Sequence, residues 1–283
     1  MLSDLPPEEK QKRSGSFGSV ASHYERYRPG PPVAAVDWIL SKGRVTRVVD
    51  LGAGTGALAR LLVDMAEEVV AIEPDDRMRS VLSDEVPRAR ALAGRGESMP
   101  LPEGCADAVI ASSSWHWMDP VPTLHEAARV LVPGGVLGAL WAGPDPEGPF
   151  LVQAQALLGG QAANRGAGTG RPEVDGTADE GDNEFARIVI GEADRPLPVL
   201  DIPDGVPFEQ PEHQIFRWDV ALDADDLIGL LGTFSWIITL PAETRVRVIS
   251  EARRLLAELL GIEGDKTVDV AYRSDAWRTR RHA

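Results

Sequence analysis

One stretch, Val48-Val-Asp-Leu-Gly-Ala-Gly-Thr-Gly56, constrains the fold of this chain more than any other. An apolar strand runs into a glycine-rich turn that opens a helix. Glycines in such a turn reach positive φ without a Cβ penalty and let the backbone come close to a ligand. From Val45 to Trp141 the chain repeats the strand–helix alternation. Strand-like runs at Val45–Leu51, Glu68–Ile72, Ala89–Ala93, Ala106–Ser112 and Gly135–Trp141 are separated by helix-like runs at about 56–66, 76–84 and 120–131. That pattern predicts a parallel sheet with crossover helices. Asp119 followed by Pro120 marks a helix start, and Pro133-Gly-Gly135 a stop and turn.

The flanks read differently. Residues 1–15 are polar and expected to fray, and Pro32–Leu40 is a short amphipathic stretch. Gly159–Asn183 is rich in Gly, Ala, Asp, Glu and Thr, so a flexible excursion is expected over 160–183. Afterwards Glu212–Leu222 alternates like a strand, and Asp223 caps a helix over Ala224–Phe234. Pro241–Leu260 is an amphipathic helix with Val246, Ile249, Leu255, Leu256, Leu259 and Leu260 on its apolar side. Thr267–Tyr272 reads as a last strand. The expected divisions are an N-terminal cap over 1–44, a core over 45–142, an insertion over 143–211, and C-terminal elements completing the sheet over 212–283.

Charge and cysteine usage narrow the function classes. A formal net charge of -15 over 283 residues repels phosphate backbones, which argues against a nucleic-acid partner. The basic cluster Arg278-Thr-Arg-Arg-His282 reads as a solvated tail. No run approaches the roughly 20 apolar residues that a membrane helix needs, and the N-terminus has no secretory pattern. Cys105, the one cysteine, supports neither a disulfide framework nor a cysteine metal site. A cytoplasmic protein is expected.

Glu73, at the end of the second strand, is placed to accept both hydroxyl protons of a ribose, so the turn suits an adenosine-containing ligand. Gly52, Gly54 and Ala57 also satisfy the permissive dinucleotide pattern, which keeps a nicotinamide- or flavin-dependent oxidoreductase open. Two features favour S-adenosylmethionine (SAM) instead. Asp50, just before the turn, suits a cationic amino group and disfavours a pyrophosphate. The third glycine, Gly56, gives G-x-G-x-G.

Over residues 48–141 the chain resembles the class I SAM-dependent methyltransferases. "VVDLGAGTG" looks like their first motif, and "VVAIEPDDRM" like the block carrying the ribose-binding acid. "GRGESMPLPEGCADAVIASSSWHWMD" and "EAARVLVPGGVLGALW" are similar to the blocks that follow, in the family's order and spacing. "FGSVASHYERYRPGPP" together with "SWHWMD" looks like the branch of trans-aconitate methyltransferase and related small-molecule enzymes. The resemblance implies an α/β, doubly wound, Rossmann-like sheet, mostly parallel with one antiparallel strand. A cap would come from the N-terminal segment and an insertion after the fifth strand. It implies methyl transfer from SAM to a small-molecule acceptor, with S-adenosylhomocysteine as product.

The same resemblance implies site residues. Gly52, Ala53, Gly54 and Gly56 would approach the methionine and ribose parts of SAM, with Asp50 near its amino group and Glu73 on the ribose hydroxyls. Pro74 and Met78 would pack near the adenine, and Gly96 and Glu97 would frame its edge. Arg95 stands where many relatives carry an acid for the adenine amino group. Ser112 and Ser113 would face the methionine carboxylate or the methyl group, and Tyr24, Tyr27 and Arg28 would fold over that carboxylate.

Methyl transfer from a sulfonium is an in-line displacement that rests mainly on alignment. No metal is required, and His23, His125, His213 and His282 show no metal-ligand spacing. His116 follows the fourth strand, at the carboxyl edge where ligands bind in open α/β folds. It is the candidate catalytic residue, as a general base, a substrate contact or a structural group. Trp115, Trp236 and Trp277 are candidates for an acceptor pocket. A SAM-binding protein that catalyses another reaction, or regulates, carries the same motifs and stays open.

Overall fold

The computed structural model describes residues 26–40, 45–153 and 199–283. Tyr24, the frayed start expected over 1–15 and the excursion expected over 160–183 lie outside the described residues. Seven strands form one sheet: β1 (Val45–Leu51), β2 (Ala66–Ile72), β3 (Arg90–Leu92), β4 (Ala106–Ser112), β5 (Leu131–Pro144), β6 (Glu212–Leu222) and β7 (Val268–Arg280). Their spatial order is β3-β2-β1-β4-β5-β7-β6. Strands β3 through β5 pair in parallel, with Val48 opposite Val69 on one side and Ala108 on the other. An antiparallel bridge joins Phe208 to Arg281, beside the ends of β6 and β7. The α/β architecture is therefore the mostly parallel, doubly wound sheet with an antiparallel pairing that the sequence predicts.

The helices with complete bounds are α1 (Val33–Leu40), α2 (Ala59–Leu62), α3 (Asp76–Glu85), α4 (Pro120–Val130), α5 (Ala224–Leu231), α6 (Ser235–Ile238) and α7 (Ala242–Leu260). The described residues divide into two compact units, one of those within 26–143, 199–216 and 273–283, the other of those within 144–153 and 217–272.

In the first unit alternation sends successive strand residues to opposite faces. Val49 and Leu51 pack with Leu124, Leu131, Leu137 and Trp115 on one face, while Val48 packs with Ile39, Leu58, Leu62 and Leu140 on the other. Burial on both faces explains the continuous apolar runs of β1 and β2. Chain order reverses at β1, with β2 to one side and β4 to the other, which makes the carboxyl ends of β1 and β4 the switch point where ligands bind.

The second unit has its own core. Ile228, Leu231, Ile237, Val248, Ala252 and Leu255 form one cluster, and Leu222, Leu230, Val270 and Tyr272 another. Asp223 caps α5 as expected, and it does so in a reciprocal box with Asp226.

Four local expectations are corrected. The helix expected over 56–66 shortens to Ala59–Leu62, because the tight backbone of the glycine turn extends to Leu58. Asp119 is the N-cap of α4 by backbone, but its side chain makes no cap hydrogen bond. Val246 is 65% exposed, since α7 buries Val248, Ala252 and Leu255 and Val246 lies about 200° around the helix from Val248. The C-terminal cluster is no solvated tail. It ends β7, with Arg278 donating to Trp38 O at 2.6 Å, Arg280 to Gly134 O at 3.2 Å, and Arg281 to Leu131 O.

Candidate active site

The glycine turn is anchored at its base. Gly52 N–H donates to Ile72 O at 2.8 Å and Ala53 N–H to the same oxygen at 3.0 Å, tying the end of β1 to the end of β2. Ser114 Oγ donates to Leu51 O at 2.6 Å from the opposite side. Gly52, Gly54 and Gly56 all have positive φ, at 69°, 58° and 100°.

The three glycines have different surroundings. A Cβ on Gly52 would lie 2.6 Å from Ser114 Cβ, and one on Gly56 would lie 2.9 Å from Val86 Cγ2. A Cβ on Gly54 would meet only Met78 Cε, at 3.7 Å. Gly52 and Gly56 therefore permit close packing within the protein. Gly54 alone of the three leaves room above the turn. Ala53 is itself buried against the β1–α2 core.

Glu73 extends the turn's polar surface. Its carboxylate accepts the Gly54 N–H at 2.9 Å through one oxygen and the Asp75 N–H at 2.9 Å through the other. Asp75 then caps α3 by accepting from Arg77 N–H and Met78 N–H. Burial pushes the Glu73 carboxyl above the usual range, while the Asp75 and Gly54 amides pull it back. Each oxygen keeps a lone pair for a further donor. Met78 is buried and borders the Gly54 space, whereas Pro74 is exposed.

Asp50 departs from expectation. It is 1% exposed, and neither carboxyl oxygen makes a hydrogen bond of normal geometry. Burial pushes its pKa up to about 8, with the Glu73 charge adding to the rise and the Ala59 amide opposing it. The carboxyl therefore has no accessible surface in this structure and is not presented toward a ligand's amino group as the sequence suggests. The carboxyl instead lies beneath the turn, where low dielectric favours its protonated form.

The loop beyond β3 is held tightly. Glu97 accepts the Asp119 N–H at 2.8 Å, linking this loop to the start of α4. Gly96 is buried, and a Cβ there would lie 2.6 Å from Met118 Sδ. Arg95 is exposed.

At the end of β4, Ser112 pairs with Leu140 and the next residue, Ser113, donates its N–H to Leu140 O at 2.8 Å. Both serines are half-buried, and Ser113 is left-handed at φ 53°, an uncommon conformation for a side-chain-bearing residue. It turns the chain into a 3-10 turn at Trp115–Trp117. Trp115 is 5% exposed and packs within the core cluster of Met99, Met118 and Leu124. His116 is half-buried, and its Nδ1 accepts the Trp141 indole N–H at 3.0 Å.

Gly30 lies close to the glycine turn, with the Ala57 carbonyl 3.7 Å from where its Cβ would be, and this brings the Arg28–Pro29 segment alongside. Arg28 is half-buried, and Arg26 covers the Tyr27 ring at 5.0 Å. Trp277 packs on the core and stacks with His213 at 4.1 Å between ring centres. Trp236 is on α6, and its side chain lies outside those described. Among the described residues no group of three His, Cys, Asp or Glu could hold a metal, and no helix is long and apolar enough to cross a membrane.

Sequence reasoning missed Ser114 and Trp141. The latter was within reach, because Trp141 follows the strand residue aligned with Ser112 and therefore ends at the same edge. Nothing in the local pattern marks Ser114 as the brace of the turn.

Residues 49–139 match the methyltransferase domain family. An uncharacterized methyltransferase of Mycobacterium tuberculosis is 34% identical over 248 residues, covering 88% of this chain and 88% of that protein. The malonyl-[acyl-carrier protein] O-methyltransferase of Pectobacterium atrosepticum is 29% identical over 163 residues, covering 55% of this chain and 63% of that protein. A solved structure from Anaeromyxobacter dehalogenans, described as a candidate type II methyltransferase, shares the fold at a TM-score of 0.55 and 23% identity, covering 90% of this chain and 98% of that one. The Rossmann-like sheet, the glycine turn with its acid on the next strand, and the Mycobacterium tuberculosis relative agree that this chain belongs to the methyltransferase family.

Proposed function

We propose that this protein transfers a methyl group from SAM to a small-molecule acceptor in the cytoplasm, in the manner of the trans-aconitate methyltransferase branch. The observation that carries the reading is the pairing of Gly54 with Glu73, an open backbone surface beside a buried carboxylate with lone pairs to spare. That pairing suits the ribose of an adenosine moiety.

The residues present fit SAM, which when bound supplies an activated methyl group on a sulfonium. Glu73 would accept the ribose hydroxyls, and the turn at Gly52–Gly54 would lie under the methionine part. Met78 would give the adenine an apolar neighbour, with Gly96 and Glu97 along the edge. Ser112 and Ser113 would orient the far end of the ligand, joined by Arg28 as partner for a carboxylate. These contacts align donor and acceptor, which is the larger part of what such a displacement asks of an enzyme. The negative net charge supports a small acceptor over a nucleic acid.

A panel of small acids, phenols and amines scored for S-adenosylhomocysteine release tests the transfer. Release with at least one class supports it. A protein that binds SAM yet releases none with any class would be a SAM-binding protein of another kind.

A further inference from the structure

Trp141 lies near the carboxyl end of β5, is 4% exposed, and aims its indole N–H at His116 Nδ1 over 3.0 Å. An indole nitrogen can only donate. The Nδ1 it meets must therefore present a lone pair, which leaves the proton of the neutral imidazole on Nε2. The Trp117 ring, 4.7 Å from the imidazole and tilted by 46°, flanks it. The strand ends are held in register by the Ser112–Leu140 pair and by the Ser113 N–H to Leu140 O bond, so the relation between Trp141 and the turn carrying His116 is fixed by backbone.

We propose that Trp141 is a positioning residue that locks His116 in the Nε2–H form, making it a hydrogen-bond donor at this edge and not a general base. A base role at Nδ1 would require the indole to leave a buried bond, and a base role at Nε2 would require a lone pair that the held tautomer does not have. The ligand atom suited to such a histidine is an oxygen that accepts a hydrogen bond, carbonyl or anionic, on the methyl acceptor. This inference rests on the reading of the edge as the methyl-transfer site.

The test is long-range proton–nitrogen NMR on the full chain labelled with nitrogen-15, comparing wild type, Trp141→Phe and His116→Ala, with SAM titrated into each. The wild type should show His116 as the Nε2–H tautomer. The Nδ1 signal should move in Trp141→Phe, and the Trp141 indole signal should move in His116→Ala. SAM affinity should change by less than threefold in either variant. An Nδ1–H tautomer in wild type overturns the proposal. So does an indole signal unmoved in His116→Ala, a readout that holds even if Trp141→Phe does not fold. A tenfold loss of SAM affinity in His116→Ala would place the histidine on SAM and overturn the acceptor assignment. Failure of wild type to bind SAM at all would count against the methyltransfer reading while leaving the tautomer result standing.

Discussion

Glu73 holds the Gly54 amide at 2.9 Å, so the acid on the second strand fixes the shape of the turn that ends the first. A ligand on this turn would meet a carboxylate already oriented by two backbone donors, from Gly54 and Asp75. That preorganisation lowers the ordering cost of binding.

The glycines should separate by variant. Gly54→Ala keeps φ near 58° with nothing closer than Met78 Cε at 3.7 Å, so the fold should survive with a loss of about 1–2 kcal/mol from backbone strain. Its SAM affinity should fall at least tenfold. Gly56→Ala combines φ 100° with a contact at 2.9 Å to Val86 Cγ2 and should lose about 2–4 kcal/mol. Denaturant melts and SAM titrations would check the pair, and equal stability losses would contradict the distinction.

Asp50 sets a pH dependence. The unfolded chain releases this proton near the ordinary value of 3.8, whereas the folded protein keeps it to about 8. The folded state then binds more protons across that window, so the stabilising contribution, full below the ordinary value, is lost as pH rises toward 8. Asp50→Asn removes the titration. Its stability relative to wild type should improve steadily between about pH 5 and pH 8, measured by urea unfolding. A constant gap would show that Asp50 ionises normally in the fold.

Ser113 carries strain at φ 53°. Ser113→Gly should raise stability by about 0.5–1 kcal/mol, because the relief of left-handed strain exceeds the added unfolded-state entropy. Ser113→Val should lower it by more than 1 kcal/mol, as about that penalty attaches to a β-branched residue there. Thermal melts reading the opposite order would refute the strain.

The sheet was legible because its signals are periodic and strong: β1 and β4 run from Val45 to Leu51 and from Ala106 to Ser112 as the apolar runs indicate. Gly54 and Glu73 were legible for the same reason, being tied to strand ends. What could not be read depends on tertiary surroundings. The packing function of Gly56 comes from Val86 and Leu82, the burial of Trp115 from Met99 and Leu124, and the tautomer proposed for His116 from Trp141 on β5. The basic C-terminal cluster misled because charge alone does not show that Arg278, Arg280 and Arg281 have backbone carbonyls to bind.

Titration calorimetry of SAM and of NAD into wild type and Glu73→Ala tests the central claim most directly. Wild type should bind SAM and not NAD. Glu73→Ala should lose about 2–3 kcal/mol of SAM binding, the worth of charge-assisted hydrogen bonds to the ribose, while circular dichroism shows the fold retained. Unchanged SAM affinity in the variant, or tighter binding of NAD than of SAM by wild type, would contradict it.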